Sequence, residues 1–96
     1  MDMRYPFHPD DVKTFTTAQL REQFLIPTLF VPGEVTLTYS HIDRMIIGGA
    51  APTAAPLALT ASPKDLGADF FLQRREIGII NVGGAGTITV DGTPYV

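Results

Sequence analysis

Apolar and polar positions alternate most cleanly over residues 34–39, with Val35, Leu37 and Tyr39 on one face and Glu34, Thr36 and Thr38 on the other. A period of two is the mark of a strand with one face on a core. Upstream the pattern changes period. Leu20 and Phe24 fall four apart, one apolar stripe of a short helix. Thr16-Thr17-Ala18-Gln19 supplies a capping box at its start, a hydroxyl with a glutamine three residues on. Pro27 ends it. Residues 1–15 carry Pro6 and Pro9 and little periodicity, and read as an extended arm.

Downstream, the chain reads as short strands between glycine and proline breaks. Residues 28–31 are apolar and β-branched, a strand closed by the Pro32-Gly33 turn. Met45-Ile46-Ile47 follows the polar Ser40-His41-Ile42-Asp43-Arg44 and stops at Gly48-Gly49. Residues 50–55 are small and proline-broken; Leu57 and Leu59 resume an alternation. Residues 62–67 read as a helical turn or loop with Leu66 tucked in. Residues 70–73, 76–82 and 87–90 are further strands, the second with Ile77, Ile79 and Ile80 buried on both faces at its end. Asp91-Gly92 is a hairpin signal, because both central residues of that turn need positive φ. The strand it starts has only four residues, 93–96, and the favoured reading is the front part of something longer.

Ninety-six residues allow one small domain, and a chain this size buries only about 60–65% of its unfolded surface. With 45% apolar and 18% charged residues, disorder is not expected. Eight prolines and nine glycines disfavour a helical bundle. A net charge of −3, with only Arg74 and Arg75 adjacent among the basic residues, argues against nucleic-acid or anionic-membrane partners. The absence of cysteine rules out disulfides and thiolate metal sites and suits a cytoplasmic location. The first residues lack the apolar core of a signal peptide, and no apolar run approaches a membrane span.

A metal site takes three or four ligands, and the two histidines, His8 and His41, stand far apart in sequence. The reading is therefore against a metal bound by this segment alone. His41 is favoured as a hydrogen-bonded structural histidine, with substrate contact the alternative. Gly83-Gly84-Ala85-Gly86 lacks the Lys-Ser/Thr and the helix of a phosphate loop and reads as a tight β-turn. Asp43-Arg44 and Arg74-Arg75-Glu76 concentrate charge inside predicted strands. Structural or inter-subunit ion pairing is the favoured role. Contact with a sugar carboxylate, which an arginine fork holds bidentately, and an idle surface are the alternatives. His41, Asp43, Arg44, Arg74, Arg75 and Glu76 are thus the candidate substrate or interface residues.

Glu76, separated from Gly83 by six residues and followed by Asp91-Gly92, resembles the first signature of cupins. The metal-binding histidines of that signature would fall at Phe70, Phe71 and Leu72, so apolar packing replaces them. Two longer strings go further: YSHIDRMIIGGAAP at 39–52 and FFLQRREIGIINVGGAGTITVDG at 70–92, with LREQFLI at 20–26 and Val31-Pro32-Gly33-Glu34. Together they resemble the N-terminal portion of the 4-deoxy-L-threo-5-hexosulose-uronate ketol-isomerases, from about Lys13 onward. The resemblance implies a mainly β fold, a cupin-like (jelly-roll) antiparallel β-barrel half with one short N-terminal helix. It divides the chain into an arm at 1–15 and an incomplete β domain at 16–96. It also implies zinc-assisted aldose–ketose isomerisation of a small-molecule uronate in pectin and uronate breakdown, by a homo-oligomer, expected as a hexamer. The family's zinc is held by three histidines and a glutamate of the C-terminal half, so no zinc and no activity are expected of this segment alone. Two other readings stand beside it: a non-catalytic β module that oligomerises or binds a sugar acid, and a relative of the 5-deoxyglucuronate isomerases.

Overall fold

The computed structural model describes residues 1–60 and 67–96. Their elements are β1 (Asp2–Arg4), α1 (Pro9–Val12), α2 (Thr17–Phe24), β2 (Val35–Ser40), β3 (Met45–Ala50), β4 (Ile88–Val90) and β5 (Thr93–Tyr95). The fold is mainly strand, in a three-stranded sheet of order β1-β2-β3 and a separate β4-β5 hairpin. No barrel closes among the described residues.

Two expectations for the N-terminal region are corrected. The stretch expected as an extended arm holds a strand and a helical turn, so the described residues contain two helices rather than one. Strand β1 pairs in parallel with β2, Asp2 opposite Thr38 and Arg4 opposite Ser40, which makes the sheet mixed rather than antiparallel. Pro9 opens α1 at a position where its missing N–H costs nothing, and His8 caps it by accepting from the Asp10 N–H through Nδ1. Helix α2 begins where the capping box places it. Thr16 Oγ1 accepts from the Gln19 N–H and Gln19 Oε1 accepts from the Thr16 N–H, at 3.2 and 2.8 Å. The helix stops at Phe24, with Leu25 extended ahead of Pro27. Phe7 lies edge-on to both Phe15 and Phe24, at centroid distances of 5.2 and 6.0 Å, so the first residues fold back onto the helix stripe.

β2 and β3 form a six-pair antiparallel ladder, Val35 opposite Ala50 and Ser40 opposite Met45. Both faces of β2 are covered, and the polar one more deeply: Thr38 and Ser40 are 4% and 8% exposed, whereas Val35, Leu37 and Tyr39 are half-buried. The segment 28–31 covers part of that polar face. It is not a strand; it lies across the polar face, where Thr36 Oγ1 donates to the Leu29 carbonyl. Gly49, opposite Thr36, is buried against that same carbonyl, and a Cβ there would collide with it.

The turns follow the sequence. Pro32-Gly33 forms a type II turn, with Gly33 at φ 78° and the Glu34 N–H donating to the Val31 carbonyl at 3.0 Å. Asp91 and Gly92 have φ of 48° and 83°, the two left-handed residues of a hairpin turn joining β4 to β5. The Gly83-Gly84 turn is braced by Asn81, whose Oδ1 accepts from the Gly83 N–H and whose Nδ2 donates to the Gly84 carbonyl, both at 2.9 Å.

The strands expected at 70–73 and 76–82 are absent: residues 71–74 turn and residues 75–82 are irregular. A strand exists only through a neighbour, and neither segment pairs with one among the described residues. Phe71 and Leu72 are half-buried, but the other apolar side chains remain in solvent, Phe70 at 62%, Ile80 at 85% and Val82 at 71%. The helical turn expected at 62–67, with Leu66, lies for all but its last residue outside the described residues.

Candidate functional site

The β2–β3 hairpin turns through His41, Ile42, Asp43 and Arg44. Closing four residues between the paired Ser40 and Met45 requires a left-handed position, and Arg44 takes it at φ 55°. That region favours glycine or asparagine, and a bulky side chain held there costs on the order of 1 kcal/mol or more. Tyr39 and His41, two apart on one strand edge, project to the same side, with ring centroids 4.7 Å apart. β1 brings a third ring. Its pairing runs on past Arg4, whose carbonyl accepts from the His41 N–H at 2.9 Å. The next residue, Tyr5, stacks on the His41 imidazole at 4.7 Å with 9° between the planes. From the far end of the described chain, Arg75 lays its guanidinium 5.3 Å from the Tyr39 ring centre, a cation–π contact.

These groups enclose an open groove of about 660 Å³, lined by Tyr39, His41, Arg44, Arg74 and Arg75. Four of the six candidate residues, His41, Arg44, Arg74 and Arg75, therefore meet, although Arg44 and Arg74 stand thirty positions apart. The other two, Asp43 and Glu76, do not line the groove. Tyr39 and Tyr5 were not among the candidates. The alternation placing Tyr39 beside His41 was readable; the parallel pairing that delivers Tyr5 was not.

The groove is strongly cationic. No carboxylate lines it among the described residues. Among those residues an ion pair forms instead at Asp10, with Lys13 at 3.3 Å. The arrangement suits holding an oxyanion: guanidinium forks to donate, an imidazole and a phenol beside them, and aromatic faces to fix their planes.

The described residues do not fit zinc. Among them no three His, Cys, Asp or Glu side chains gather to hold a metal ion. His8 is engaged as a helix cap and His41 in an aromatic stack. No helix among the described residues is long and apolar enough to cross a membrane.

Comparison with known proteins adds a strong likeness. The chain is 58% identical over 96 residues, all of its length, to a 4-deoxy-L-threo-5-hexosulose-uronate ketol-isomerase of Bacillus pumilus. The chain is similar throughout to these ketol-isomerases. Those of Lachnoclostridium phytofermentans and Levilactobacillus brevis are 57% and 52% identical over 95 and 93 residues, 99% and 97% of the chain. The match to the ketol-isomerases thus includes the first twelve residues, where the motifs alone had not reached. In each case it accounts for only 33–34% of the relative, so the chain spans about a third of the length of the curated relatives it matches. No family model matches the chain.

Proposed function

We propose that the chain is the N-terminal portion of a 5-keto-4-deoxyuronate isomerase. Such an enzyme interconverts 5-dehydro-4-deoxy-D-glucuronate and 3-deoxy-D-glycero-2,5-hexodiulosonate in pectin and uronate breakdown. The observation that carries this reading is the 58% identity across every residue of the chain to a protein of that name. These residues build half of a cupin-like jelly-roll scaffold in a homo-oligomeric, cytoplasmic enzyme, and the zinc and its ligands belong to the remainder. Alone, the segment binds no zinc and does not turn over. The outer edge of β3 and the apolar run 77–82 are where the remainder would complete the sheet and the core.

The arginine groove favours a second reading, a non-catalytic module that holds a sugar acid. The experiment that decides is turnover of 5-dehydro-4-deoxy-D-glucuronate by protein purified from its native source. Zinc-dependent formation of the hexodiulosonate supports the isomerase reading. A native protein that binds sugar acids but forms no product overturns it in favour of the module.

A further inference from the structure

We propose that the groove formed by Tyr39, His41, Arg44, Arg74 and Arg75 is a binding site for a doubly charged oxyanion, a phosphate monoester or a dicarboxylate. The proposal goes beyond both functional readings above, and its test does not depend on turnover. Two observations carry it.

The first is charge. Three guanidinium groups line one groove with no carboxylate among the described residues to balance them. Like charges gathered on one surface repel, and a single carboxylate occupies one fork. A ligand with two negative charges engages two forks, leaves the third to the Tyr39 face and relieves the repulsion. The volume, about 660 Å³, is within the range of small-ligand sites.

The second is the conformation of Arg44. A glycine would satisfy the hairpin without strain. The chain instead places an arginine at φ 55° there, and that arginine lines the groove. Structure alone would select against Arg44, whereas ligand binding would select for it. That opposition separates a binding role from a structural one, because replacing Arg44 by glycine moves the two properties in opposite directions.

The test is NMR titration of the chain with inorganic phosphate, with malonate and, as the singly charged comparison, with galacturonate, at low ionic strength. Phosphate or malonate is expected to bind saturably, with shifts at Tyr39, His41 and the three arginines, and at least roughly tenfold more tightly than galacturonate. Arg44→Gly is expected to keep or raise the melting temperature while weakening the dianion by roughly tenfold or more, the loss of a charge-assisted pair. Arg74→Gln, at an exposed position, repeats the loss by a different route. Whichever of phosphate and malonate binds more tightly identifies the ligand class. Dianions that bind no more tightly than galacturonate, or an Arg44→Gly chain that binds them like the parent, would overturn the proposal.

Discussion

Single residues govern how closely this sheet packs. Gly49 is buried on β3 with the Leu29 carbonyl over its Cα, and the obstruction is backbone rather than a side chain that can swing aside. Gly49→Ala should therefore lower stability by about 1–3 kcal/mol, the usual cost of overpacking, read as a fall in the urea midpoint. An unchanged midpoint would mean that segment 28–31 does not lie on the sheet. Gly67, in contrast, favours glycine through its backbone, at φ 62° in the left-handed region. At this scale the sequence was most informative where a residue acts through its own backbone. Thr16 with Gln19, Pro32-Gly33 and Asp91-Gly92 all do what local chemistry dictates. Arg44 was legible only as a charge. Its left-handed backbone depends on the length of the β2–β3 turn, which register decides and residue type does not.

At the level of elements, legibility depends on partners. Whereas the run at 45–47 was expected to stop at Gly48-Gly49 and β3 instead passes through them to Ala50, strand β2 was readable because its alternation lies within consecutive residues. Which face of β2 would be the more buried was not, because a non-strand segment covers the threonine side through one side-chain hydrogen bond from Thr36. β1 was missed because three residues cannot display a period, and its parallel partner lies more than thirty positions away. Residues 70–73 and 76–82 have strand composition without a neighbour, and composition alone does not make a ladder. The candidate residues were found as charges, but the groove was not: it needs Arg74 and Arg75 brought to the Tyr39 edge. These differences predict unequal stability. Amides of β2 and β3 should exchange slowly with solvent. Those of β4 and β5, a three-pair hairpin exposed at every residue, should exchange at least about a hundredfold faster, since isolated two-stranded hairpins are marginal in water. Equal protection of the two hairpins would contradict the division.

The whole molecule exposes more surface than a closed domain of its size. Its accessible area is 7622 Å², against about 5400 Å² expected from its mass. The radius of gyration is 15.9 Å, where a packed domain of this length has about 12–13 Å. Among the described residues Ala68 is the one buried hydrophobic residue, and no large side chain is fully enclosed. The described residues thus form a sheet with a cationic groove and an unfinished core, beside relatives about three times longer. The proposed function puts the zinc outside these residues. The measurement that tests this most directly is the zinc content of the purified 96-residue chain, equilibrated with zinc, freed of excess by gel filtration and assayed with the keto-uronate. The account predicts sub-stoichiometric zinc and no turnover. Stoichiometric zinc retained through the column, with product formed, would contradict it.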